Sequence, residues 1–92
     1  MSVITAAAHH GFRKALELFV DFCGVEVLNI ADGRGFNALH SAANALKFET
    51  CADILRWNPT LKDYSTMDGK DISELIPIEY MPILEKFLSY EH

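Results

Sequence analysis

The sequence repeats itself with a period close to 35 residues, and this feature restricts its fold more than any other. When the sequence is aligned with itself at an offset of 35 residues, the expected helix-capping residue Ser2 falls on another, Asn37. Apolar residues then fall on apolar residues. A shift of 34 aligns turn glycines, as Gly35 with Gly69, so one extra residue lies near the end of the first long helix. Repeats of this length form supersecondary units that bury their apolar faces by stacking. The sequence therefore predicts one domain, residues 1–92, with approximate units 1–31, 32–65 and 66–92.

Each unit is predicted to contain a short helix followed by a longer one, so the predicted fold class is all-α. The short helices are Ile4–His10, Ala38–Ala45 and Ile72–Ile76, and the residues expected to cap them are Ser2, Asn37 and Asp71. The longer helices follow from apolar residues three, four or seven positions apart, which share one helical face. These stripes are Ala15, Leu16, Phe19, Val20 and Phe22; Phe48, Cys51, Ile54 and Leu55; and Met81, Leu84, Phe87 and Leu88. Turn-rich stretches at Asn29–Phe36 and Asn58–Lys70 separate the units.

Charge limits the kind of partner that the chain is expected to bind. The net charge is −5 at pH 7, and the eight Lys and Arg residues form no run and no basic face. Cationic side chains supply most of the affinity of proteins for phosphate groups, so neither nucleic acid nor an anionic membrane surface is an expected partner.

Cysteine usage and hydropathy indicate the compartment. The two cysteines, Cys23 and Cys51, lack a zinc-type spacing, and small secreted domains usually carry several disulfides. Residues 1–8 lack the basic and long apolar regions of a signal peptide, and no stretch approaches the ~20 apolar residues that span a bilayer. We therefore expect an intracellular and most simply cytoplasmic protein.

Catalytic and metal chemistry receive little support from the sequence. His9 and His10 are adjacent, and adjacent helical residues point about 100° apart, so the pair is not expected to chelate one ion. Cys23 and Cys51 lie in or near apolar helical stripes, where a thiol packs as a small hydrophobe and stays protonated. No nucleophile elbow or phosphate-binding loop occurs, so we expect no enzyme activity, no metal and no cofactor.

The second unit carries a recognisable motif. Residues 32–43 read DGRGFNALHSAA and resemble the D-x-x-G-x-T-P-L-H-x-A-A motif of ankyrin repeats. Asn37 stands where that family has its capping threonine, and His40 where it has the histidine that joins neighbouring loops. The resemblance implies an ankyrin-repeat solenoid of about two and a half to three repeats, in which Leu39 is buried between helices. It gives structural roles to Leu39, His40, Ala42, Gly35 and Gly69.

The chain also departs from the ankyrin pattern. Leu46 replaces the glycine that ends the inner helix, so this turn is expected to be built differently. Asn58 replaces a later glycine, where asparagine is the best substitute in a left-handed conformation. Pro77 and Pro82 are expected to shorten the helices of the third unit. The divergence of the third unit is typical of a terminal capping repeat.

The resemblance implies a protein-interaction module rather than an enzyme. Ankyrin stacks bind through loop tips and the exposed side of their inner helices, and this gives a candidate surface. Its residues are Arg34, Phe36, Met67, Lys70, Asn44, His9 and His10. Phe36 and Met67 are expected to be exposed at successive tips. The expected partner is another protein and not a small-molecule substrate, and the chain itself is expected to be a monomer or weak dimer.

Two other functions remain open at this point. The same surface suits an inhibitor or immunity-type protein that blocks a partner enzyme. Alternatively, the chain is a structural or regulatory ankyrin fragment of a larger protein.

Overall fold

A computed structural model describes residues 2–89, and within this range every regular element is helical. The predicted all-α class is therefore confirmed. Six α-helices are present in the described part of the chain: α1 Val3–His10, α2 Arg13–Cys23, α3 Ala38–Asn44, α4 Phe48–Trp57, α5 Ile72–Leu75 and α6 Met81–Ser89. Three 3₁₀ helices, which the sequence did not predict, lie at Val25–Asn29, Pro59–Asp63 and Ile78–Tyr80.

The first four helices pack in two consecutive pairs. Helix α1 packs against α2, and α3 packs against α4. The short helices also contact one another, with α3 lying between α1 and α5, while α4 packs against α6. The molecule measures 34 × 34 × 22 Å along its principal axes. Helix α3 therefore contacts helices of all three units.

The predicted caps of the short helices are confirmed. The Ser2 hydroxyl accepts a hydrogen bond from the Thr5 amide at 3.1 Å, and the Thr5 hydroxyl oxygen accepts one from the Ser2 amide at 3.0 Å. The Asn37 side chain accepts from the His40 amide at 3.0 Å. The Asp71 carboxylate accepts from the Ser73 amide at 3.0 Å. Each cap satisfies an amide that has no partner inside its helix.

Small and aliphatic side chains fill the core between the helices. Leu39 is fully buried, as predicted, and so are Leu16, Ile54 and Leu61. Alanines of α1 and α3 are also buried, which lets the backbones of these helices approach closely. Burial of these apolar surfaces is the main favourable contribution to folding.

Phe22 is an exception to the predicted core. The apolar stripe on α2 predicts a buried Phe22, but its side chain is 86% exposed. Six residues separate it from buried Leu16, which places the two about 120° apart around the helix at 3.6 residues per turn. Phe22 therefore lies outside the buried face, and this part of the prediction is wrong.

The turn at Leu46 corrects a second expectation. Leu46 adopts a left-handed backbone with φ 59°, so the turn is built like the one at Gly11, where φ is 74°. The Leu46 amide donates to the Ala43 carbonyl at 3.0 Å, and the Gly11 amide donates to the Ala8 carbonyl at 3.1 Å. The substitution therefore preserves the turn at the expense of backbone strain in Leu46.

Asn58 and Pro82 also differ from expectation. Asn58 has φ −146°, which is not left-handed, and its side-chain amide donates to the side-chain Oδ1 of Asn29 at 2.9 Å. It joins two loops instead of closing a turn. Pro82 lies in the first turn of α6, where no amide donor is needed, so it does not shorten that helix. Helix α5 does end at Leu75, two residues before Pro77.

A charged cluster connects three of the longer helices. Asp53 of α4, almost shielded from solvent, accepts hydrogen bonds from Arg13 of α2 at 2.5 Å and from Arg56 at 2.6 Å. Arg13 also pairs with Glu49 at 2.9 Å. Arg56 donates to the Phe87 carbonyl of α6 at 2.9 Å. The hydrogen bond to Asp53 is the largest of the effects that raise the pKa of Arg13.

Candidate functional site

The loops before α3 and α5 end in two turns with the same hydrogen-bond pattern. In the first, the Asp32 amide donates to the Phe36 carbonyl at 2.9 Å, and the Gly35 amide donates to the Asp32 carbonyl at 2.9 Å. In the second, the Thr66 amide donates to the Lys70 carbonyl at 2.8 Å, and the Gly69 amide donates to the Thr66 carbonyl at 2.9 Å. Both hydrogen bonds of the first tip thus have an equivalent in the second, between residues 34 positions further along the chain.

Glycine is required in the first turn for two reasons. Gly35 has φ 77°, a left-handed conformation that side chains disfavour. A Cβ at this position would also fall 2.7 Å from the Met67 backbone nitrogen. The first tip therefore lies directly against the second.

A histidine bridge fixes the two loops further. His40 is buried, and its Nδ1 accepts a hydrogen bond from the Asn37 amide at 3.2 Å. Because Nδ1 accepts, Nε2 carries the proton and donates to the Tyr64 carbonyl, 3.0 Å away. His40 therefore links its own helix cap to the next loop, in the structural role that was assigned to it.

Arg34 is held in place by Asp32 and Phe36. Its Nη2 and Nε donate to Asp32 Oδ2 at 2.8 and 3.2 Å, and its guanidinium carbon lies 4.2 Å from the centre of the Phe36 ring. The other oxygen of Asp32 accepts from the Arg34 and Phe36 amides at 2.8 and 3.1 Å. Burial alone would raise the pKa of Asp32, but these hydrogen bonds outweigh it and lower the pKa below its ordinary value.

Phe36 and Met67 differ in exposure. Phe36 is half-buried rather than fully exposed, because its ring packs edge-on against His40, 5.9 Å between centroids, and beneath Arg34. The expectation of an exposed Phe36 is therefore wrong. Met67 is 76% exposed, as expected, and it lies beside Gly35. Met67 therefore brings an apolar side chain of the second tip against the first tip.

Among the remaining candidate residues, Lys70 belongs to the second tip and the others lie away from it. Lys70 is exposed and closes the second turn. Asn44 is exposed at the far end of α3, about 10 Å from the Asn37 cap at 1.5 Å per helical residue. His9 and His10 occupy the corresponding end of α1. The structure thus brings Arg34, Phe36 and Met67 together with Lys70 nearby, but not the other three.

The paired histidines contact each other and a neighbouring ring. Their ring centroids lie 5.2 Å apart with the planes nearly perpendicular, and His10 stacks on Phe12 at 5.4 Å. In residues 2–89, no group of three or more His, Cys, Asp or Glu side chains is arranged to hold a metal ion.

Two residues of the tips were missed by the sequence reasoning. Tyr64 supplies the carbonyl for His40, and Thr66 occupies the place of Asp32 in the second turn, its hydroxyl accepting from the Lys70 amide at 3.2 Å. A signal for Thr66 was present, since it is related to Asp32 by the same shift of 34 that aligns Gly35 with Gly69. A carbonyl acceptor leaves no such signal in a sequence.

The two thiols occupy different environments. Cys51 is buried in α4, and burial raises the pKa of its thiol to about 12, so it is unreactive at neutral pH. Cys23 is exposed at the end of α2, contrary to the expectation that both thiols pack in apolar stripes.

No model of a protein family matches this sequence, and no curated protein matches it either. Across residues 2–89, no helix has both the length and the apolar character needed to cross a bilayer.

Proposed function

We propose that this chain is an ankyrin-type repeat domain that binds another protein through the surface formed by Arg34, Phe36, Met67 and Lys70, here called the tip surface. The observation that carries the proposal is the Arg34 guanidinium, fixed between Asp32 and the Phe36 ring beside the exposed Met67. Arginine, aromatic and methionine side chains are enriched in the cores of protein interfaces.

The ankyrin part of the proposal is supported by the arrangement of the repeats. The first two units each pack a short helix against a longer one, and the short helices contact one another in the order α1, α3, α5. The tips before α3 and α5 share one backbone pattern, and His40 bridges to the loop of the next unit. These are the roles that the DGRGFNALHSAA motif implies for its glycine and histidine.

The tip surface is suited to binding because it is ordered before a partner arrives. Three hydrogen bonds and a ring contact hold Arg34, whose side chain still has 46% of its surface exposed. Fixing such a flexible side chain in advance reduces the entropy that binding must otherwise cost. Met67 adds an exposed, adaptable apolar side chain next to it.

The charges of the tip surface indicate the partner's chemistry. Arg34 and Lys70 are its two cations. Arg34 precedes Phe36 in the first tip, and Lys70 follows Met67 in the second. An apolar patch bordered by carboxylates would complement this arrangement. Asn44, His9 and His10 would contribute only if the partner also extends along the short helices.

An inhibitor or immunity-type protein is the second candidate function. It would use the same surface, and the rigid tips would suit the blocking of an enzyme's active site. A structural or regulatory role within a longer protein is the third, and it would use the same helix packing without requiring a free partner.

Affinity capture from the native cell tests the proposal. Met67→Ala and Arg34→Ala should each lose the captured protein, because removing a central contact commonly weakens binding by about tenfold or more. Met67 is exposed, so its substitution should leave the melting temperature nearly unchanged. The matched controls are Glu79→Ala and Glu85→Ala, exposed residues in the segment from Ile78 to Ser89. Capture that survives the tip changes but not the control changes would show that binding uses another face.

A further inference from the structure

Helix α2 exposes an apolar pair that no other described element covers. Leu18 is 45% exposed and Phe22 is 86% exposed. They are four residues apart, so they lie on the same side of the helix, one turn from each other. This side is distinct from that of the buried Leu16.

Charged residues border this pair in a specific order. Lys14 lies one turn before Leu18, and Asp21 lies three residues after it, so both share its exposed side. Lys14 Nζ pairs with Glu17 at 2.7 Å, and the Lys14 side chain is 81% exposed. The basic residues of α2 are therefore near its beginning, and Asp21 is near its end.

The charge of α2 differs from that of the whole chain. Arg13 and Lys14 balance Glu17 and Asp21, so the helix is neutral, whereas the chain carries −5. A neutral apolar surface adds no repulsion of its own between two copies of the acidic chain.

We propose that α2 pairs with α2 of a second copy of this chain, in an antiparallel arrangement around a two-fold axis near Leu18. A two-fold interface forms every contact twice. In this arrangement Lys14 of each copy lies near Asp21 of the other, and Phe22 packs over the beginning of the opposite helix. A parallel arrangement would instead place Lys14 against Lys14 and Asp21 against Asp21.

The order of charges along α2 favours a second copy of this chain over other binding partners. Basic residues at the beginning and an acidic residue at the end make α2 complementary to its own reversed sequence. The paired surface shares no residue with the tip surface, so the dimer and the proposed partner complex are independent. The dimer is weak, since only one helix of each copy contributes its apolar side chains.

Sedimentation equilibrium across a protein concentration range from roughly micromolar to millimolar tests the pairing. The wild-type chain should show a reversible monomer–dimer equilibrium. Phe22→Ser should weaken it by about tenfold or more. The matched control is Ile78→Ser, because Ile78 is equally exposed, at 86%, and lies outside α2. It should leave the equilibrium unchanged.

Charge reversal tests the antiparallel geometry. Lys14→Glu and Asp21→Lys should each weaken the dimer, because each places like charges opposite one another across the two-fold axis. The double variant should restore the dimer, because the new carboxylate of each copy then meets the new ammonium group of the other. Helical circular dichroism confirms that each variant is folded.

Three outcomes would overturn the pairing. The first is a wild-type chain that stays monomeric over the whole concentration range. The second is an equal effect of Phe22→Ser and Ile78→Ser, and the third is a double charge variant that dimerises no better than the single ones. Partner capture by the Phe22→Ser chain keeps this result separate from the proposed function.

Discussion

At the residue scale, the Asp32 side chain holds both the backbone of the first tip and the Arg34 side chain in place. Its carboxylate accepts hydrogen bonds from the Arg34 guanidinium and from two backbone amides, and its side chain is only 2% exposed. The same contacts close the first tip and hold Arg34 above Phe36. The Asp32 carboxylate therefore stabilises the turn and also fixes the position of Arg34 on the exposed surface of that turn.

Acid should weaken the fold through Asp32. The pKa of Asp32 is lowered in the folded state, so its contribution to stability is present above the ordinary value of about 3.9. That contribution is lost as the pH falls through the lower, folded-state pKa. Urea unfolding should therefore show a free energy of unfolding that decreases between about pH 5 and pH 2.

Substitution of Asp32 distinguishes its effect on stability in acid from the effects of the other carboxyl groups. Asp32→Asn should be less stable than the wild type at pH 7 and should lose less of its stability in acid. The control is Asp68→Asn in the neighbouring tip, whose exposed side chain should leave both properties unchanged. Asp71 also has a lowered pKa, chiefly through the Ser73 hydroxyl, so some acid sensitivity should persist in Asp32→Asn. If the free energy of unfolding of Asp32→Asn fell with decreasing pH as steeply as that of the wild type, Asp32 would not be a source of the acid sensitivity.

At the scale of elements, the same connection between a short and a long helix is built twice from different residues. Gly11 closes the turn between α1 and α2, and Leu46 closes the one between α3 and α4. Both amides donate to a carbonyl three residues back, and both residues have positive φ. The backbone pattern is therefore retained although the second residue is unfavourable for it.

Leu46→Gly should stabilise the protein. A left-handed conformation costs a non-glycine residue roughly 1–2 kcal/mol. The additional freedom of glycine in the unfolded chain costs about 0.4–1 kcal/mol, so the free energy of unfolding should rise by roughly 1 kcal/mol or less. Urea unfolding measures the change.

The reverse substitution in the first unit is the matched control. Gly11→Ala introduces a side chain at φ 74°, with the new Cβ 3.3 Å from Lys47 Cδ, and should destabilise the protein. If both substitutions shift stability in the same direction, the two turns are not equivalent.

The elements differ in how far the sequence could predict them. Apolar spacing and capping side chains are local, so they located the long helices and the caps Ser2, Asn37 and Asp71. Phe22 was misplaced because apolar spacing does not show which side of α2 the other helices cover. Leu46 and Asn58 were misjudged because backbone conformation there depends on bonds to other segments. Residue type identified Arg34 and Met67 as surface candidates, but only the structure shows that Arg34 is clamped and that Phe36 is half-buried.

At the scale of the whole molecule, Asp53 connects α2, α4 and α6. It pairs with Arg13 and Arg56, and Arg56 continues to the Phe87 carbonyl. Asp53→Asn should lower the free energy of unfolding by about 1–2 kcal/mol, because charge-assisted hydrogen bonds are lost while partial exposure of Arg13 reduces their strength. Thermal or urea unfolding measures this loss.

The control for Asp53 is the neighbouring acid. Glu49→Gln removes only the exposed pair with Arg13 and should change stability by less than about 0.5 kcal/mol. Equal losses for the two variants would show that Asp53 is not the centre of the cluster.

The contact of Met67 with Gly35 has a consequence for the slow motions of the chain. Helix α5 has four residues, too few to persist without support from packing. The second tip leads into it, and the second tip rests on the first through Met67 and through the His40 bridge to Tyr64. An opening that moves the second tip together with α5 must therefore separate these contacts. A molecule that binds over Met67 and Gly35 would stabilise their contact. Amide hydrogen exchange in residues 72–75 would then slow although that molecule touches none of them.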